Sequence, residues 1–145
     1  MQEVSSRELI DYLEKVDDLF PIPLSAKESL QVLAEKLLKY GTLCPEFDNG
    51  KMVGLVAGYT ENTVNSLGYI SVVSVLPEKQ REGIASKLVT EFLSIAKEKG
   101  LRGVNLYCDS RNDRALKMYD RLGFEKYSIP DEPRPEDSHL VYWFK

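Results

Sequence analysis

Two cysteines and one histidine are all that this 145-residue chain has of the thiols and imidazoles that build structural zinc sites and cross-links. Cys44 and Cys108 stand far apart with no CxxC spacing, which argues against a disulfide framework and a structural metal. No metal is therefore expected, and a reducing compartment is the default. Long hydrophobic runs are lacking too, and nothing approaches the roughly 20 apolar residues of a membrane span. The opening MQEVSSRELI has no basic-then-apolar order of a secretion signal. A cytoplasmic protein with no membrane partner is the expectation. Basic charge is not in excess either. With 19 Lys and Arg against 23 Asp and Glu the formal net charge is −4. That balance disfavours nucleic acid as a partner, because phosphate binding needs a concentrated basic face.

What is present reads as one domain over residues 1–145, with no internal repeat and no linker composition. Leu9, Leu13, Val16 and Phe20 recur at helical spacing behind Ser5 and Ser6, predicting a helix over 5–19 that Pro21 and Pro23 stop. Ser25 with Glu28 has the spacing of a capping box for a second helix running to Tyr40, with Leu30, Leu33, Leu37 and Leu38 inward and Gly41 at its end. The period then becomes strand-like. Residues 42–47 and 52–59 flank Asn49-Gly50, a type I′ hairpin signal, and a polar turn at 61–66 leads into a third strand over 67–76. A helix over 84–99, a strand over 103–108, a helix over 112–122 and strands over 124–129 and 139–144 complete the chain. This order predicts an α/β fold of α+β character, a mixed sheet with helices on its faces.

The segment with chemical content is Leu76-Pro77-Glu78-Lys79-Gln80-Arg81-Glu82-Gly83-Ile84-Ala85-Ser86, between the third strand and the long helix. Such a turn delivers successive backbone N–H groups and a helix N-terminus to one point, which favours an anion. Gly83 and Ala85 let a diphosphate approach the backbone, and Arg81 can add a charge-assisted contact. Any strand–turn–helix connection also needs a small, flexible turn, so this segment alone leaves both readings open.

Gln80-x-x-Gly83-x-Ala85 resembles the Q/R-x-x-G-x-G/A signature of the GCN5-related N-acetyltransferase (GNAT) superfamily. Asn112-x-x-Ala115-x-x-x-Tyr119, followed by Gly123-Phe124, resembles the second signature of that family. The resemblance covers about residues 52–124. It implies a mostly antiparallel central sheet whose strands splay to admit acetyl-CoA. It further implies that the backbone of Val73, Ser74 and Val75 pairs with the acetyl-pantetheine arm. Backbone groups of Arg81, Glu82, Gly83, Ile84, Ala85 and Ser86 would hold the pyrophosphate. Asn112 would bond the pantetheine region, and Tyr119 would stand by the thioester sulfur. A phenol with pKa about 10 can donate a proton to a leaving thiolate while staying neutral itself. Tyr119 also falls on a core stripe with Ala115, Leu116 and Leu122, where it would simply pack.

The attacking amine must lose a proton, since an alkyl ammonium has a pKa near ~10. Some members of the family that acetylate protein N-termini carry a glutamate five positions before the motif asparagine; here that position is Tyr107. Glu46, Glu61, Asp109, His139 or a water relay are the alternatives for the base. The turn Phe20-Pro21-Ile22-Pro23 either lines the acceptor pocket or staples two helices. The loop Asp131–Asp137, with four acids and one arginine, reads as a solvated hairpin tip or as an attractor of a cationic acceptor. Three functions follow: an acetyl-CoA-dependent N-acetyltransferase acting on a primary amine of a small molecule, amino sugar or peptide; a non-catalytic acyl-CoA-sensing module; and an acetyltransferase of aminoacyl-tRNA, which the acidic balance disfavours. A homodimer is left open.

Overall fold

The computed structural model describes residues 3–61 and 63–145. Met1 and Gln2 of the opening segment, and Asn62 of the turn at 61–66, lie outside the described residues. Helix α1 (Ser6–Val16) begins in a full capping box: the Glu8 amide donates to Ser5 Oγ at 3.1 Å and the Ser5 amide to Glu8 Oε1 at 3.0 Å. Its stripe Leu9, Tyr12, Leu13 and Val16 is buried. Residues 17–19 tighten into a 3-10 turn. The predicted second capping box does not form. Helix α2 (Leu30–Tyr40) is capped by Ser29, whose Oγ accepts from the Val32 amide at 3.1 Å. Both predicted partners are engaged elsewhere, Ser25 on the Asp17 carboxylate (2.6 and 2.9 Å) and Glu28 on Lys36 (2.9 Å). The buried stripe of α2 is Leu33, Ala34 and Leu37, which turns the expected inward Leu38 toward solvent at 37% exposure.

Strands β1 (Thr42–Asp48) and β2 (Lys51–Tyr59) form the predicted hairpin, with φ of 51° at Asn49 and 78° at Gly50. Next come β3 (Leu67–Val75), a 3-10 turn at Pro77–Lys79, α3 (Ile84–Glu98), β4 (Gly103–Asp109) and α4 (Asp113–Leu122). The strand expected over 124–129 shrinks to β5 (Glu125–Lys126), and the last strand, β6, runs from Asp137 to Trp143. The sheet order is β1-β2-β3-β4-β6-β5, antiparallel throughout except for the β3/β4 pair. Among the described residues no helix is long and apolar enough to cross a membrane.

Strand alternation sorts the side chains into two faces. Tyr12 of α1 reaches Ser74 Oγ at 2.9 Å, whereas a Cβ on Gly54 would meet Ile84 and Leu88 of α3. Because Ser74 pairs with Leu55, the immediate neighbour of Gly54, α1 and α3 cover opposite faces of the sheet.

Two features break the sheet at one place. Strands β3 and β4 pair only from Leu67↔Gly103 to Ile70↔Leu106, although both continue well beyond. At the same level the β2/β3 register shifts between Ala57 and Gly58, leaving Ser71 as an extra residue, a bulge that bends β3. Glycine is required opposite the bulge, since a Cβ at Gly58 would lie 1.9 Å from the Tyr69 carbonyl oxygen. Gly58→Ala should therefore cost about 1–3 kcal/mol of unfolding free energy, read from urea denaturation; an unchanged midpoint would show that the bulge relaxes without cost.

Candidate active site

The gap where β3 and β4 part opens into a cleft of about 790 Å³, within the roughly 300–1,000 Å³ of small-molecule sites. Its β3 wall is Tyr69, Ile70, Ser71, Val73, Ser74 and Val75, and from Ser71 onward the backbone is no longer paired to β4. Such an open edge invites an extended, amide-bearing ligand to add as a strand.

The turn after β3 closes one end. Gln80 Nε2 donates to the Val75 carbonyl at 3.1 Å and so fixes the turn to the strand. Arg81 takes φ 71° and Gly83 φ 79°, a left-handed backbone that gathers successive N–H groups before α3. A Cβ at Gly83 would meet nothing within 4 Å, so the demand for glycine there is conformational. Asn112 caps α4 by accepting from the Ala115 amide at 3.1 Å.

Val73, Ser74, Val75, Arg81, Gly83, Ile84, Ala85, Ser86, Asn112 and Tyr119 all line this one cleft. Glu82, expected among them, does not. The lining is basic in an acidic chain: Lys27, Lys79, Arg81, Arg114, Arg121 and Arg134 against Asp109 and Asp137. With Lys79 paired to Asp48 at 2.8 Å and Arg134 to Asp137, the cations Lys27, Arg81, Arg114 and Arg121 are left to suit a ligand with several phosphates.

Tyr119 is 4% exposed, with its ring edge on Phe124 at 5.4 Å, and burial raises its pKa well above that of an ordinary phenol. It both packs in the core and lines the cleft. Beside it the Cys108 thiol is pushed up to about 11 by burial and by the nearby Asp109 and Asp137 carboxylates. Both cysteines are free.

Alternation along β4 places Tyr107 on the other face, beside Tyr69 (ring centroids 6.4 Å) and stacked on His139 (4.1 Å). That is the face of α1 and of the connection after it, whose Leu19, Phe20, Pro21, Ile22 and Leu24 line the cleft. Leu19 and Ile22 remain 47% and 64% exposed, so this turn presents apolar surface at the mouth rather than only stapling two helices.

The four side chains proposed as the base are all engaged. Glu46 pairs with Lys87 at 2.7 Å and Glu61 with Lys99 at 3.2 Å, and neither lines the cleft. Asp109 does line it, but hydrogen bonds from the Arg111 side chain and amide hold its carboxyl down at about 2. His139 is buried with both ring nitrogens facing acceptors. Asn105 donates its amide to the Gly68 carbonyl at 2.8 Å, so its oxygen faces Nε2 (2.7 Å), while Glu132 Oε2 faces Nδ1 (2.8 Å).

The loop read as a solvated tip is partly turned inward. Glu132 accepts from Tyr107 Oη, Arg134 binds Asp137 Oδ2 at 2.6 Å, and the Arg134 guanidinium lies 4.6 Å from the Tyr107 ring centroid. With Arg134 and Asp137 neutralising each other and Glu132 held by three donors, little free acidic field remains to attract a cation. The prolines of Glu132-Pro133-Arg134-Pro135 were the available signal, since each fixes φ and stiffens a loop that could otherwise stay in solvent. Of the side chains gathered here, Tyr69 is not singled out in the sequence, and Glu132, Arg134 and Asp137 read there only as members of a charged loop.

Residues 9–124 match the sequence profile of the Acetyltransferase (GNAT) family. The chain is 36% identical over 75 residues to GCN5-related N-acetyltransferase 4, chloroplastic, of Arabidopsis thaliana, covering 50% of this chain and 26% of that protein. It is 31% identical over 90 residues to N-alpha-acetyltransferase 30 of Schizosaccharomyces pombe, covering 57% of this chain and 60% of that protein. The chain thus spans about a quarter and three fifths of these relatives. The crystal structure of PaiA N-acetyltransferase from Thermoplasma acidophilum in complex with coenzyme A superposes with a TM-score of 0.75 at 17% identity, over 99% of this chain and 97% of that one. That likeness shows the fold, including the mostly antiparallel sheet expected from the sequence. On the profile match over most of its length, the chain belongs to the GNAT acetyltransferase family.

Proposed function

We propose that this protein transfers the acetyl group of acetyl-CoA to a primary amine, by direct attack of the amine while both substrates occupy the cleft. The observation that carries this reading is the parting of β3 and β4, which puts an open strand edge, a helix N-terminus and a buried tyrosine around one slot. The edge at Val73–Val75 suits the amides of pantetheine. The turn at Arg81–Ser86, with the surrounding cations, suits the phosphates. The thioester supplies an activated acetyl group. Tyr119, protonated well above neutral pH, is the donor to the departing sulfur.

The two faces separate the two ends of the reaction. Tyr119 and Cys108 stand on the α3 side, and Tyr107 and Tyr69 on the side of the apolar turn 19–24. An amine entering past Leu19, Phe20 and Ile22 meets apolar surface and no free carboxylate. This favours a peptide α-amine whose first side chain is apolar over a polyamine or an amino sugar, and the name of the fission yeast relative points the same way. A cytoplasmic setting is consistent with two free thiols.

Tyr119→Phe should lower turnover by roughly 10²-fold with acetyl-CoA affinity little changed, measured by thiol release and by calorimetry; full turnover would remove the donor assignment. Coenzyme affinity should fall steadily as salt is raised from 50 to about 500 mM, because screening acts on the basic lining; a flat dependence would contradict a phosphate site. In a panel of amines, peptides beginning with Met or Leu should exceed those beginning with Asp or Lys by roughly 10–200-fold in kcat/KM. A polyamine as the best acceptor would refute the apolar entrance. Acetyl-CoA binding with no amine accelerating thiol release would instead support the sensing module.

A further inference from the structure

Tyr107 lines the cleft, and the structure supplies a glutamate one hydrogen bond behind it. Glu132 Oε1 accepts the Tyr107 hydroxyl and, at 3.2 Å, the Arg134 amide; Glu132 Oε2 faces His139 Nδ1 at 2.8 Å. Three donors converge on one carboxylate. Burial works to raise the Glu132 pKa, but the hydrogen bonds from Tyr107 and His139 outweigh it and hold the group below the usual range. Tyr107 is raised far above an ordinary phenol by burial and by that same bond. An ionised Glu132 and a neutral Tyr107 are therefore the resting pair.

This arrangement has a directional consequence. The Tyr107 proton points away from the cleft toward Glu132, so the phenolic oxygen can offer only lone pairs to a ligand in the cleft. Tyr107 is thereby made a hydrogen-bond acceptor, as an attacking amine requires. Around the pair stand His139 stacked on the Tyr107 ring, the Arg134 guanidinium over its other side and bound to Asp137, Tyr69 from β3 at its edge, and Tyr127 at 5.0 Å from His139. Asn105 closes the network by tying His139 to the Gly68 carbonyl.

We propose that Glu132 is a positioning residue that works through Tyr107, orienting its hydroxyl and taking up the proton that the acceptor amine gives to it. The inference rests on the acetyl-transfer reading of the cleft. A substrate ammonium passes one proton to Tyr107 Oη as the phenolic proton moves to the Glu132 carboxylate, freeing the nitrogen lone pair. Nitrogen then attacks the acetyl carbon, the C–N bond forms, the C–S bond breaks, and the electron pair leaves on sulfur. Sulfur takes a proton from Tyr119, the second nitrogen proton passes to water in the cleft, and water returns a proton to Tyr119. One net proton is left on Glu132, whose side chain is 20% exposed and returns it to water.

The test is the pH profile of kcat/KM for wild type, Glu132→Gln, Glu132→Asp and Tyr107→Phe, with acetyl-CoA affinity and melting temperature measured for each. Gln fills the same space but takes no proton. Glu132→Gln should be down by roughly 10²-fold near pH 6.5. The deficit should close as pH rises past the amine pKa of about 8, where the free amine needs no relay. Tyr107→Phe should show the same closing deficit, the double variant should be no worse than Tyr107→Phe alone, and Asp should restore part of the rate. A deficit constant across pH, or a Glu132→Gln enzyme as fast as wild type at pH 6.5, overturns the relay. If Glu132→Gln does not fold, Tyr107→Phe carries the same decision. A wild type that binds acetyl-CoA yet acetylates no amine overturns the transfer reading itself, a result distinct from a failed relay.

Discussion

The structure depends on a sheet that is not allowed to finish. Four residue pairs join β3 to β4, and then the strands part while each keeps its other neighbour: β2 follows β3 to Val75, and β6 follows β4 to Asp109. Unpaired backbone groups inside a protein are costly, so the gap persists only because the strands are bent there and both margins are otherwise held. The Ser71 bulge does the bending, Gly58 makes room for it, and Gln80 ties the far end of β3 through the Val75 carbonyl.

From this break the division of labour follows. A cleft running between two strands opens on both faces of the sheet, and period-two alternation along β4 assigns neighbouring residues to different tasks. Cys108 looks toward Tyr119 and the helices that close the turn, whereas Tyr107 looks toward Tyr69, His139 and the apolar entrance. In the proposed reaction, acid and base chemistry are thus kept apart by a backbone constraint. The charge distribution adds to it, since a chain with net charge −4 concentrates Lys and Arg around this cleft.

Much of this was legible in the sequence where the signal is local. The Asn49-Gly50 turn, the Ser5–Glu8 box, the strand–turn–helix at Gln80–Ser86 and the Asn112 cap each depend on residues within a few positions of one another. Local pattern failed where two partners competed. Ser25 has good cap spacing, but Asp17, eight residues away, takes its hydroxyl and leaves Ser29 to cap α2. The loop after β5 failed for a related reason. Its acids look solvated in isolation, yet Glu132 meets Tyr107 from 25 positions earlier and Arg134 stacks on the same ring. Long-range pairing of this kind has no period to read, so Glu46, Glu61, Asp109 and His139 were legible as candidate bases while the Tyr107–Glu132 pair was not.

In the proposed complex, acetyl-CoA adds along the open edge of β3 and places its phosphates on the turn before α3. Backbone amide hydrogen exchange with and without acetyl-CoA tests it most directly. New protection is expected at the unpaired amides of residues 71–75 and at Arg81–Ser86, with the β1/β2 hairpin unchanged. Protection confined to other segments, or none at saturating acetyl-CoA, would contradict it.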